Sequence, residues 1–212
     1  MSDGSVTFEA LPAILNLWIA TETTPPKILG AVAPLGRRVI ANNGMAVFVK
    51  DGAVMLASRD GVLTTANTST PSSSAIIESQ GRFVVYGTAS SPHQLDLYDL
   101  TEGREFPLVQ ADEGCAQPAL SDDGRLMLFL SAANLEAKNY GLRIQAWLFD
   151  FNTGILRQLT QDPASLTEAT LSGDGRIVSA VTLAGRPPPR HHRRPNRDRG
   201  RWPNGSRCRW WL

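Results

Sequence analysis

The chain has 212 residues, 42% of them hydrophobic, enough to build one or two buried cores. Its apolar runs stop short of the roughly 18 consecutive residues of a membrane-spanning helix, and no secretory signal is expected at its start. Two cysteines, Cys115 and Cys208, exclude a disulfide scaffold and a four-thiolate metal site. The net charge of +1 hides two compositions: residues 1–185 carry 12 Lys/Arg against 19 Asp/Glu, whereas residues 186–212 carry nine Arg against one Asp.

In chain order, the segments SDGSVTFEAL, ANNGMAVFVK, ESQGRFVVYG, SDDGRLMLFL and SGDGRIVSAV each place a glycine in a polar turn directly ahead of a β-rich apolar run. These glycines, Gly4, Gly44, Gly81, Gly124 and Gly175, are separated by 40, 37, 43 and 51 residues, and the last spacing falls to 39 if the polar stretch 132–143 is an insertion. A repeat near 40 residues follows. It divides the chain into a partial unit over 1–35, units over 36–70, 71–113 and 114–164, and a partial unit over 165–185.

Four strands are expected in each unit. In 114–164 a short run ends at the polar turn (AQPALSDDG), an apolar run follows (RLMLFLSA), a third run ends at another glycine (QAWLFDFNTG), and a fourth closes the unit (ILRQLTQD). The unit before it reads AIIESQG, RFVVYGTA, QLDLYDLTEG and REFPLVQAD, with Gly103 standing where Gly154 stands. Asp123-Gly124 and Asp174-Gly175 are read as two-residue hairpin turns, which need positive φ. The second run of each unit, such as Leu126–Leu130, is apolar at consecutive positions, so both of its faces must be buried. A hairpin-linked antiparallel sheet buried on both faces is a blade stacked between blades. The fold expected is an all-β propeller of four-stranded antiparallel blades, with about four and a half blades present and the ring incomplete; a β-sandwich is the alternative.

The strings ALSDDGRLMLFLSAANL, QAWLFDFNTGILRQLTQD and ATLSGDGRIVSAV resemble the TolB-like, WD-repeat-like β-propeller repeats of bacterial exported proteins. Those repeats place Ser, any residue, Asp, Gly and Arg/Lys ahead of a strand. The resemblance spans residues 1–185 and is strongest over 75–183. Asp122 and Gly173 stand where such repeats often carry proline. It implies a propeller with a periplasmic or secreted location. Function follows as a non-enzymatic scaffold that recognises a protein or small ligand, or alternatively as the gating propeller of a prolyl-oligopeptidase-like serine hydrolase.

Catalytic motifs are missing: there is no nucleophile elbow, no His-Glu-x-x-His and no phosphate-binding loop. Cys115 lies beside Asp112 and Glu113, whose charges would raise its pKa. Asp150, Asn152 and Gly154 begin like a calcium loop but fit a hairpin turn better, and no metal or cofactor is expected. Alternation of tight turns and longer connections puts the variable loops on one face, and the binding residues are therefore sought there: His93, Asp112, Glu113, Asn134, Glu136, Lys138, Asn139 and Tyr140. The turn positions Gly44, Gly81, Gly103, Asp123, Gly124, Gly154, Asp174 and Gly175 are assigned to structure. The segment 186–212 holds three of the five tryptophans but no Ala, Val, Ile or Phe, so disorder is expected. Arg, Pro, His, Gly and Trp are what GC-rich DNA encodes out of frame, which makes a shifted reading frame the simpler account of it. Nucleic-acid binding is expected only if that tail is genuine.

Overall fold

The computed structural model describes residues 15–19, 27–32, 38–66, 68–137, 139, 141–182 and 208–211. Sixteen strands and no helix lie among them, in five antiparallel sheets whose strand order follows the chain. β1 (Leu15–Ile19) pairs with β2 (Lys27–Val32). β3 (Ala46–Lys50), β4 (Ala53–Ala57) and β5 (Leu63–Thr65) form the second sheet, with Ile40 bridging to Ala46 at its inner edge. Two complete four-stranded sheets follow. The first comprises β6 (Ser72–Ile77), β7 (Phe83–Thr88), β8 (Leu95–Asp99) and β9 (Arg104–Val109); the second comprises β10 (Cys115–Leu120), β11 (Leu126–Ser131), β12 (Gln145–Asp150) and β13 (Ile155–Gln158). The last sheet is β14 (Leu166–Leu171), β15 (Ile177–Thr182) and β16 (Cys208–Trp211).

From the second sheet on, each sheet packs on the next. Val84 and Tyr86 of β7 face back to join Val47, Val54 and Leu56, while Val85 faces forward to join Met127 and Phe129 of β11. β11 in turn sends Leu126, Leu128 and Leu130 forward against Leu166, Ala169 and Val178. All six residues of β11 are buried, which is why its sequence is apolar without alternation. The result is an arc of propeller blades in which hydrophobic side chains pack between successive sheets from the second on.

Two expectations need correction. The Asp-Gly pairs of the first hairpin turns are not two-residue turns, because Asp123 and Asp174 do not take positive φ. The loop is longer. Gly124 donates to Ser121 O in a β-turn, and Ser121 Oγ accepts from Leu126 N at 2.9 Å while donating to Asp123 Oδ1 at 2.6 Å. Ser172, Asp174 and Ile177 repeat that arrangement. The two-residue turn is instead Asp51-Gly52, with φ of 52° and 79° between the paired residues Lys50 and Ala53. In the tail, Cys208–Trp211 form a strand on β15, where disorder was expected; the open edge of β15 offers unpaired backbone groups that a strand satisfies. The rest of 186–212 lies outside the described residues.

Candidate functional site

The loop face is defined by a tie that recurs at every described junction from the second sheet on. The first N–H of each innermost strand donates to a carbonyl in the preceding sheet's loop between its second and third strands: Ser72 to Gly52 at 2.7 Å, Cys115 to His93 at 2.6 Å and Leu166 to Ile144 at 2.8 Å. A second device closes the complete blades. Gln94 donates through Nε2 to Ala111 O at 2.9 Å and accepts from Ala111 N at 2.6 Å. Gln145 makes the same pair of bonds with Asp162, at 2.9 and 3.1 Å. Both glutamines stand nine residues before a turn glycine, Gly103 and Gly154. That spacing was the available signal for two residues the sequence reasoning missed.

These ties bring part of the expected site together. His93, Asp112 and Glu113 are exposed on adjacent loops, joined through the bond from Cys115 to His93. The His93 ring is oriented by Nδ1 against Thr88 O at 2.7 Å. Gly114 lets the loops meet: a Cβ there would lie 3.1 Å from His93 N, and its φ is +75°. Its carbonyl accepts from Ser131 Oγ at 2.6 Å, which links this pair of loops to the 132–144 insertion. Within the insertion Asn134 is exposed, and Glu136 accepts from Gln158 N at 3.0 Å. Asn139 plays another part than the one assigned to it. It is buried, and its amide nitrogen donates to Ala132 O and Arg143 O at 2.7 and 2.8 Å, so it pins the loop and has little left to offer a ligand. Lys138 and Tyr140 lie outside the described residues.

Backbone strain also gathers on this face. The described non-glycine residues with positive φ are Asp51, Gln117, Ala137 and Leu142; three sit in its loops, and Gln117 lies two residues into the adjoining strand β10. Gln117, at a bulge in the pairing of β10 with β11, reaches the neighbouring innermost strand through Nε2 to Thr167 O at 3.1 Å.

The groups with shifted acidity are structural. Burial pushes the Cys115 thiol up to about 11 against the bond from Ser131, so it is burial that makes this thiol inert, where the neighbouring carboxylates had been held responsible. Asp96 is raised by burial, against the bond from Gln110 Nε2 at 2.8 Å. Burial also works to raise Glu78, but Arg82, together with the N–H groups of Gln80 and Arg82, outweighs it and lowers the carboxyl below its usual range. Asp150 Oδ1 accepts from Asn152 N and Thr153 N at 2.9 and 3.3 Å inside its hairpin turn. Among the described residues no group of three or more His, Cys, Asp or Glu is placed to hold a metal ion, and no helix is long and apolar enough to cross a membrane.

The opposite face carries the tight turns and a cleft of about 640 Å³ between the last two sheets, lined by Leu126, Leu148, Asp150, Ile155, Asp174 and Arg176 among others. Sequence reasoning did not look there, because short turns promise no concavity.

Solved structures match this arrangement. TolB from Acinetobacter baumannii superposes with a TM-score of 0.58 at 16% identity, over 78% of this chain and 42% of that one. A protein assigned as TolB from Agrobacterium tumefaciens superposes with a TM-score of 0.57 at 18% identity, over 79% of this chain and 63% of that one. The chain thus has the TolB-like β-propeller fold, and it spans less than two thirds of the length of either structure. No protein-family model matches it. No curated protein matches it either.

Proposed function

We propose that this chain is a non-catalytic recognition scaffold that binds a protein or small ligand through its loop face, with His93, Asp112, Glu113 and the insertion around Asn134 and Glu136 as the contact surface. The observation that carries this reading is that, among the described residues, left-handed non-glycine backbone falls in the loops of that face, at Asp51, Ala137 and Leu142, and at Gln117 in the strand beside them. Such residues cost on the order of 1–3 kcal/mol each and persist where the surroundings over-determine them, as at sites of recognition. The ties through Ser72, Cys115 and Leu166 hold the loops against a stiff sheet stack, which lowers the ordering cost of binding. An exported setting and a TolB-like role in protein interaction accord with the fold.

The test compares the two faces. Asp112→Lys with Glu113→Lys shifts charge on the loop face by four units, and Glu102→Lys with Asn152→Lys shifts it on the turn face by three. Binding of cell-envelope components to the immobilised chain is expected to fall at least about tenfold, roughly 1.4 kcal/mol, for the first pair and to persist for the second. Loss with the second pair alone would overturn the assignment.

A further inference from the structure

The 132–144 insertion treats its apolar side chains in two ways. Leu135 packs into the cluster between the third and fourth sheets, with Phe129 and Trp147. Leu142 and Ile144 do not: they are 52% and 39% exposed. A single exposed aliphatic residue is ordinary on a protein surface. These two differ because the loop holds them there. Buried Asn139 donates through Nδ2 to Ala132 O and Arg143 O, and its own carbonyl accepts from Leu142 N, so the chain is fixed on both sides of position 142 while Leu142 takes a left-handed backbone. Ile144 is fixed in turn by Leu166 N, which donates to its carbonyl at 2.8 Å, and by Ser165 Oγ, which accepts from its N–H at 3.3 Å.

Hydrogen bonds also link this pair to an acidic neighbour. Ser131 Oγ donates to Gly114 O at 2.6 Å and accepts from Ala133 N at 3.1 Å, which joins the root of the insertion to the loop that carries Asp112 and Glu113. Both carboxylates are exposed, and among the described residues neither belongs to an ion pair; the pairs there are Arg38–Asp122, Arg82–Glu78 and Arg104–Glu102. The connections that make up the loop face carry Asp51, Asp112, Glu113, Glu136 and Asp162 against Lys138 and Arg143. Such a face attracts cations and repels anions.

We infer that the occupant of the loop face is a basic segment of a partner protein, whose Lys or Arg side chain meets Asp112 and Glu113 and whose apolar side chain covers Leu142 and Ile144. The inference rests on the recognition reading above and narrows its ligand, because a small anion or a fully polar molecule would leave the apolar pair in water. The apolar contact supplies the buried anchor of the interface, and the acidic loop steers the encounter and fixes the register.

Selection of a random-peptide display library on the immobilised full chain tests it. The enriched peptides are expected to combine Lys or Arg with a large apolar residue. One of them, synthesised and titrated, should lose at least about tenfold in affinity on Asp112→Asn with Glu113→Gln. It should weaken severalfold on Leu142→Asn, which keeps the left-handed backbone and removes the apolar side chain, and on Ile144→Thr, which keeps the β-branch. Leu142→Met should retain binding, which separates an apolar anchor from a purely structural role. Failure to enrich any peptide, or enrichment of acidic or wholly polar ones, would overturn the inference. Dependence on Asp112 and Glu113 with indifference to both Leu142→Asn and Ile144→Thr would overturn it too while leaving the scaffold reading in place; indifference to all four residues would overturn both.

Discussion

On the turn face, Asn42, Ser79, Asp122 and Gly173 occupy equivalent places, each two residues before a turn glycine, and they bond to one another from blade to blade. Asn42 N donates to Ser79 O and Asp122 N to Gly173 O, both at 2.6 Å, and Ser79 Oγ donates to Asp122 O. On the loop face, Ser72, Cys115 and Leu166 also occupy equivalent places, but their acceptors come from a two-residue turn, a six-residue loop and the 132–144 insertion. The difference teaches how a repeat protein divides its labour. One face repeats position for position, with a turn of constant length, and sets the spacing of the blades; the other keeps only the backbone tie and leaves the loop between ties free to vary. That division can be broken first at the stronger face and then at the weaker.

The largest effect is expected at Gly124. Its φ is +69°, and a Cβ would lie 2.5 Å from Glu78 Cγ of the preceding blade. Gly154 has the same φ of +69° with nothing within 4 Å of an added Cβ. The pair separates backbone conformation from blade spacing. Gly154→Ala should cost about 1 kcal/mol, the usual penalty of a left-handed non-glycine residue, while Gly124→Ala should cost roughly 2–4 kcal/mol because Glu78 must also move. Equal losses in chemical denaturation would show that the turn face does not set the spacing.

Glu78 itself comes next. Its fully buried carboxylate takes the place of the serine found at Ser121 and Ser172, accepting from Gln80 N, Arg82 N and the Arg82 side chain, while Arg82 Nη2 reaches on to Asp123 O. Glu78→Gln removes charge-assisted bonds and should cost about 1.5–3 kcal/mol at neutral pH. The sign of the pH dependence follows from the lowered pKa. The carboxylate's stabilisation is complete above the unfolded value near about 4.3 and is lost as pH falls through the lower, folded value. Glu78→Gln should therefore flatten the acid limb of stability against pH, and an unchanged acid limb would count against the charge.

Crossing to the loop face, Gln94→Ala leaves Ala111 N without its acceptor, while Ala111 O keeps the bond from Gly114 N at 3.0 Å, and Gln145→Ala removes the partner of both Asp162 backbone groups. A loss of about 1–3 kcal/mol is expected for each. Because they close different blades, the double variant should lose the sum to within about 0.5 kcal/mol. A shortfall well beyond that would mean that the two closures are coupled through the stack.

The fold was legible because the repeat writes the same physics several times. Glycine before a strand, and apolar residues at consecutive positions such as Leu126–Leu130, leave few architectures open. The turn chemistry was less legible: Asp-Gly is compatible with a two-residue turn at Asp51-Gly52 and with a longer serine-closed loop at Asp123-Gly124, and the deciding bond from Leu126 N to Ser121 Oγ has no signature in either dipeptide. The site was legible only as a location. Exposure of His93, Asp112 and Glu113 follows from polar loop sequence, but the burial of Asn139 does not, because an asparagine that pins a loop and one that meets a ligand look alike until the carbonyls around it are placed. The cleft was invisible for a different reason: it is shaped by the space between sheets and not by any residue pattern.

The smallest predicted effect bears most directly on function. Leu142 sits at φ of +46° in the 132–144 insertion and is half exposed, with its N–H donating to Asn139 O at 3.1 Å. Leucine pays about 1–2 kcal/mol for that conformation, whereas glycine adopts it freely but loses more chain entropy on folding, so Leu142→Gly should leave stability unchanged or raise it by up to about 1 kcal/mol. If the strain serves to preorganise the loop, the same change should weaken partner binding severalfold even though the fold is no less stable, because a looser loop must be ordered on association. Binding and stability would then move in opposite directions at one residue. Were Leu142→Gly to destabilise the chain by more than 1 kcal/mol, the residue would be part of the packing, and the case for a strained recognition face would rest on Asp51, Gln117 and Ala137 alone.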